Sequence, residues 1–496
     1  MRFSTDRDLA RATFLNILAN VTPVVLGLAF LPLLVARYGH DRFGLLSLVW
    51  TSLAYFMLLD IGLGRALTQL VARRSVDGRP EELRSLLATS LAFVLACGAL
   101  IGTVLVFTAD LVAVKLLRVP PGMEQEAVRA VRLLAALVPV TVSLSVTRGY
   151  LEGRRLFGRS ALLRATVSSL GYLIPVAACL ITQDLSVAVA GILATRAFVL
   201  LAGLALCRRD LGSGGGWMPA RAVLRDLVRT GGWVTVSNVV SPIMATLDRF
   251  LVAHLVTLAA AGYYSTAQQV GNQLVMLPAS LAAVLFPIFA SGTSVGGRES
   301  GRLYGTAMRW VTVSLAPIIV LVLFIADPML RLWLGPAFAG NILLPLKILA
   351  VGALMNGLAQ IPFSALQGSG HARLTALSHM VELPIYLVVV VVLTREYGIV
   401  GTAVAWTGRV LLDFALLTLA ARWSLGRGWR VPAGSVAVGA IVVACGFLGS
   451  ASSPWPVRAT LVAAALAGIA WQLAEAYGGR RAVPAGVDAT LPERAV

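Results

Sequence analysis

Apolar residues in this chain come in long unbroken runs, unlike the short alternating or one-sided patterns of soluble strands and helices. Uncharged stretches fill 85–107, 165–183, 270–290, 311–326, 348–371 and 432–456. Several reach the ~20 residues that a helix needs to cross ~30 Å of hydrocarbon. The pattern predicts spans near 14–36, 43–71, 85–107, 130–151, 161–183, 186–207, 232–254, 260–290, 308–326, 342–367, 375–394, 398–421, 432–450 and 457–475. The chain therefore reads as an all-α polytopic membrane protein with about fourteen transmembrane helices. The longest polar stretches, around 73–84, 208–229 and 292–302, are loop-sized. Residues 1–11 are polar and charged, and the first apolar run is long enough to remain as a span, so no cleavable signal peptide is expected.

Two landmarks predict an internal repeat. The segment Tyr38–Ser47 after the first span corresponds to Leu258–Ser265 after the seventh, each read as a short link with a glycine–aromatic corner opening the next helix. The end of the fourth span, Tyr150-Leu151-Glu152-Gly153, corresponds to Ala365-Leu366-Gln367-Gly368 at the end of the tenth. Gly44 to Gly262 is 218 residues and Gly153 to Gly368 is 215. Small-residue corners recur by chance in helical membrane proteins; agreement of two separate landmarks favours a repeat. Six spans per repeat is an even number, so the halves insert the same way up, related by an axis along the membrane normal. The expected divisions are 1–210, 211–425, and two extra helices with a tail at 426–496.

Charge placement decides what the strongly basic balance means. Hydrophobic residues are 58% of the chain and charged ones 13%, about half the ~25% of soluble proteins. With the N-terminus inside, 27 of the 41 Lys and Arg fall on cytoplasmic segments and ten outside; Arg65, Arg196, Arg249 and Arg409 lie within spans. This bias follows the positive-inside rule and places both termini in the cytoplasm. The net charge of +18 then meets anionic headgroups of the bilayer, and no nucleic-acid partner is expected.

Cys97, Cys179, Cys207 and Cys445 lie in or at the ends of apolar runs without CxxC spacing and read as small buried hydrophobes. Lys115 and Lys347 follow Val and Leu, so neither closes a phosphate-cradling Gly-Lys-Ser/Thr loop. His40, His254, His371 and His379 are scattered, and no HExxH occurs. Asp6-Arg7-Asp8 matches a glycosyltransferase DxD only literally, with no nucleotide domain behind it. No catalytic residue, metal or cofactor is expected, and the protein reads as a non-enzyme.

Charged and amide groups within spans are costly against lipid, so they mark partners or wet cavities. The second span carries Asp60 and Arg65, the latter able to snorkel to the surface. The seventh carries Asn238, Ser241, Ala245 and Asp248 on one helical stripe, followed by Arg249. The eighth has Ser265, Gln268, Gln269, Asn272 and Gln273, and the tenth Asn356, Gln360 and Ser364. Such carboxamides suit either a hydrated sugar-binding wall or interhelical hydrogen bonds. Arg409 and Asp413, at i, i+4, are expected to neutralise each other, while Glu382 interrupts the eleventh span and Arg196 the sixth.

The span number, the 6+6+2 plan, the Tyr38–Ser47 corner, Leu59-Asp60-Ile61-Gly62-Leu63-Gly64-Arg65-Ala66-Leu67-Thr68 and the Leu-Glu/Gln-Gly turns resemble the multidrug/oligosaccharidyl-lipid/polysaccharide exporter superfamily. Within it the chain looks like the polysaccharide-biosynthesis branch, the flippases of O-antigen type. The resemblance implies that the first, second, seventh and eighth spans line a central cavity containing Asp60, Asp248, Arg249 and Gln268–Gln273. It implies a flippase moving a polyprenyl-diphosphate-linked oligosaccharide across the cytoplasmic membrane for surface polysaccharide (lipopolysaccharide) synthesis, with a polymerase and glycosyltransferases as possible partners. A cation-coupled multidrug exporter of the same superfamily is the alternative, and a non-transporting scaffold a third. Four intramembrane arginines matching four carboxylates (Asp60, Asp248, Glu382, Asp413) favour an anionic substrate. Arg65 and Arg249 are the expected diphosphate ligands.

Overall fold

The computed structural model describes residues 6–56, 63–75, 80–212, 214, 217–291, 297–426, 429–448 and 455–478. Among them there is no strand. In order, α1 is Asp6–Phe56, α2 Leu63–Arg74, α3 Pro80–Phe107, α4 Glu124–Gly153, α5 Phe157–Ile181 and α6 Leu185–Leu211. A π-helical segment, Leu111–Leu116, lies between α3 and α4. Then come α7 (Arg221–Leu255), α8 (Leu258–Ser291), α9 (Gly297–Leu334), α10 (Pro336–Gly368), α11 (Ala372–Leu425), α12 (Ala433–Leu448) and α13 (Trp455–Gly478). Among the described residues nine helices are long and apolar enough to cross a membrane, with shorter apolar helices at Ala433–Cys445 and Thr460–Glu475. Side chains such as Phe107, Ile181 and Leu332 are more than four-fifths exposed, which suits hydrocarbon and not water.

Two of these helices are double spans. A straight α1 of 51 residues would run about 75 Å, more than twice the hydrocarbon thickness. Gly39 breaks it with φ 73° and ψ 177°, and Gly398 breaks the 54-residue α11 with φ 58° and ψ −140°. A single left-handed glycine thus replaces each of the short loops expected near 37–42 and 395–397.

The first landmark pair has a different role from the corner expected of it. Gly44 and Gly262 lie inside helices, at a point where the second limb of α1 crosses α8. A Cβ on Gly262 would sit 3.0 Å from the Gly44 Cα, and one on Gly44 would overlap the Leu258 carbonyl oxygen. One turn on, the Ser47 hydroxyl lies 3.3 Å from that of Ser265, again 218 residues away. Residues that meet their own counterparts at one offset are what a local two-fold axis produces. His40, Phe43, Tyr263 and Phe338 stack edge-on beside this crossing, with ring centroids 4.8 Å apart for Tyr263 and Phe338.

The second landmark pair repeats hydrogen bond for hydrogen bond. After α4, Leu156 N–H donates to Leu151 O (2.8 Å), Arg155 to Glu152 (2.9 Å) and Arg154 to Tyr150 (3.0 Å). After α10, His371 donates to Leu366 (2.7 Å), Gly370 to Gln367 (3.1 Å) and Ser369 to Ala365 (3.0 Å). Every pair differs by 215. Both turns need a left-handed residue, Arg155 at φ 61° and Gly370 at φ 83°.

The chain divides into two compact units, one of Met1–Thr266 with Leu332–Phe338 and Val390–Thr402, the other of Ala267–Arg331, Ala339–Val389 and Ala403–Val496. In the first, α4 is the central helix, with 67% of its apolar window buried against 22% for α3 and for α5. Its Gly149 and Gly153, four apart, let α2 approach until the Thr68 hydroxyl donates to Gly149 O at 3.0 Å. In the second unit α10 is the most buried span, at 72%, with Ala359 and Leu366 packed on Leu417 and Ala421 of α11.

Candidate functional site

The first unit assembles a chain of polar contacts where α7 turns back into α8. Helix α7 ends at Leu255 and α8 begins at Leu258, so Asp248 and Tyr264 stand at mirror positions about the turn. The Tyr264 hydroxyl donates to the fully buried Asp248 carboxylate at 2.7 Å, and the Arg249 main-chain N–H donates to the same carboxylate at 2.9 Å. The Arg249 guanidinium turns the other way and donates to the Thr51 hydroxyl at 2.8 Å. Thr51 in turn donates to Ser47 O at 2.8 Å, which ties this cation to the α1–α8 crossing. Adjacent helical residues point about 100° apart, so Asp248 and Arg249 serve different neighbours.

The other expected site residues fall into three groups. Asp60 lies outside the described residues, and so do the side chains of Arg65 in α2 and Asn238 in α7. On α8, in the second unit, Gln268 is buried, Gln269 and Gln273 are half-buried, and Asn272 is exposed. These carboxamides therefore do not share one uniformly wet face. On α10, Asn356 and Gln360 are half-buried and Ser364 is buried.

One buried cluster went unrecognised in the sequence, and it corrects the expected Arg409–Asp413 pair. Arg409 faces Glu382, with Nη1 3.8 Å from Oε2, and lies 5.5 Å from the centre of the Tyr386 ring. Asp413 faces His379 at 3.7 Å, and His379 stacks on Phe363 with centroids 6.1 Å apart. The ion pairs lie beyond hydrogen-bond reach and act as charge compensation inside the second unit. The signal was present in the sequence. Glu382 and Arg409, like His379 and Asp413, are mirror positions on two limbs joined by a single-residue break, so folding the limbs antiparallel brings them together.

These helices define a multi-pass membrane protein with charged and amide groups engaged inside its spans. The chain belongs to the polysaccharide biosynthesis protein family, whose model matches residues 9–293, more than half its length. A protein of Shigella flexneri named "Putative O-antigen transporter" is 28% identical over 403 residues, covering 81% of this chain and 95% of its own. The structure of a lipid II flippase, MurJ, in an inward closed conformation matches 94% of this chain and all of its own with a TM-score of 0.72 at 12% identity. An inward-facing multidrug resistance MATE family transporter of the MOP superfamily matches 83% of this chain and 98% of its own, with a TM-score of 0.67 at 16% identity. At such identities the two structural likenesses concern the fold alone.

Proposed function

We propose that this protein is a flippase that carries a polyprenyl-diphosphate-linked oligosaccharide across the cytoplasmic membrane by alternating access. The halves 1–210 and 211–425 rock about a midplane site, and both termini face the cytoplasm. The turns matched at 215 residues and the glycine crossing at 218 support the repeat. The family and the Shigella relative support the substrate class. Surface-polysaccharide glycosyltransferases and a polymerase supply and consume such a substrate.

The observation that carries the site is Arg249, a guanidinium kept within a membrane-spanning helix and anchored on the Thr51 hydroxyl while Tyr264 and main-chain N–H engage the neighbouring carboxylate. A cation so placed suits a diphosphate passing through. Arg65 on the second span is the other proposed station, with the carboxamides Gln268, Gln269, Asn272, Gln273, Asn356 and Gln360, together with Asn238, Asp60 and Asp248, facing the glycan.

The test is complementation of a flippase-deficient strain. Arg249→Gln and Arg65→Gln are expected to abolish it with the protein still abundant in the membrane, and Arg249→Lys to restore it in part, since lysine keeps charge without the planar fork. Normal transport by both Gln variants, singly and combined, overturns the diphosphate role. Restored drug resistance in an exporter-deficient strain would instead favour the cation-coupled exporter.

A further inference from the structure

The two limbs of α11 leave an apolar groove open between them in the second unit. Leu374, Leu377 and Val381 line it from one limb, and Leu416, Leu419 and Trp423 from the other. These positions recur every three or four residues, so each limb gives one stripe to the groove. Ser378 and Ala420 are its small lining residues, and the Ser378 hydroxyl is engaged on Leu374 O at 3.1 Å. The groove therefore offers a ligand carbon alone. Its volume of about 430 Å³ is that of roughly fourteen waters in the liquid, the scale of one acyl chain.

One end of the groove lies at the membrane surface. Twenty-four residues separate Leu374 from the Gly398 break, about 36 Å of helix and more than the ~30 Å of hydrocarbon. Trp423, on the opposite limb at the same end, is 88% exposed, as suits an indole at the interface. From there the stripes run into the hydrocarbon.

We infer that this groove holds one chain of an anionic phospholipid whose headgroup rests on Arg373 and Arg422. Arg373 lies four residues before Leu377 and Arg422 three after Leu419, so both stand near the groove's stripes, about one turn nearer the surface. Both are exposed, and no carboxylate lines the groove. Two guanidiniums at the mouth of an apolar slot suit a phosphate headgroup with its tail below, whereas a choline headgroup would bring a further cation to the same place. An extended peptide would carry unpaired backbone groups into hydrocarbon. A second copy seated by two-fold symmetry would bring its own Arg373 and Arg422 against these.

The full chain, purified in neutral detergent, is titrated with phosphatidylglycerol and with phosphatidylcholine of identical chains, and bound lipid is counted by native mass spectrometry. Phosphatidylglycerol should bind about tenfold or more tightly. Arg373→Gln and Arg422→Gln should each weaken it about fivefold and leave phosphatidylcholine unchanged. Ser378→Phe and Ala420→Phe fill the groove and should remove the preferred site; if one of them does not fold, the other decides. Equal binding of the two lipids overturns the inference, as does parent affinity for phosphatidylglycerol in the filled variants. A dimer mass that disappears in the filled variants would give the groove to a second copy and overturn it too.

Discussion

Alanine in place of Gly44 adds a methyl group where two helix backbones already touch. Its Cβ overlaps the Leu258 carbonyl oxygen, with the Leu258 carbonyl carbon 2.7 Å away and the Ala259 nitrogen 3.3 Å away. These are main-chain atoms at the start of α8, which cannot rotate aside as a side-chain tip would. The two helices must part by roughly 1.5 Å or more to restore ordinary contact at ~3.5–4 Å. That movement takes the Ser47 and Ser265 hydroxyls, now 3.3 Å apart, out of bonding range. Overpacking costs about 1–3 kcal/mol and a lost interhelical hydrogen bond about 0.6 kcal/mol, so the total comes to about 2–4 kcal/mol. Gly262→Ala is milder, because one of its three close neighbours, the Phe43 ring at 3.1 Å, is able to shift. Gly271→Ala meets only Leu349 Cβ at 3.7 Å and should be neutral or gain up to about 1 kcal/mol of helix propensity. Melting curves of the three proteins in one detergent should therefore rank Gly44→Ala lowest, Gly262→Ala next and Gly271→Ala at or above the parent. A Gly44→Ala protein that melts with the parent would refute the close crossing.

Glu382→Gln and Arg409→Gln should each destabilise by about 3 kcal/mol, since each leaves an uncompensated charge, and the double variant should cost less than the sum; additive losses would mean the pair is not coupled. Arg155→Gly should raise the melting temperature, worth about 1–2 kcal/mol, because a non-glycine residue occupies the left-handed region there, whereas Gly370→Ala at the matching turn should lower it. Reporter fusions placed after Gly216 and after Gly479 should both read cytoplasmic, and an outside reading at either position would sink the proposed orientation.

The sequence by itself determined the helical spans and their order. A bilayer demands about twenty apolar residues per crossing whatever the neighbours are, so run length alone marks each span. The matching turns were legible for a related reason: the turn after α4 and its counterpart after α10 are local hydrogen-bonded motifs, and the residues that form them are contiguous. Partners across helices were not legible in this way. Arg409 has Asp413 four residues on, yet it faces Glu382 on the other limb of α11. Gly44 looked like a corner and is a packing contact, while the turn itself falls at Gly39. Arg148, Arg164 and Arg196 lie on three different helices, and nothing in their spacing announces a common cavity. Which side chains meet depends on how each helix is rotated and how closely it approaches its neighbours. Those quantities are set by small residues such as Gly149, Gly153 and Gly262 at contacts remote in the chain, so only the packed tertiary structure decided them.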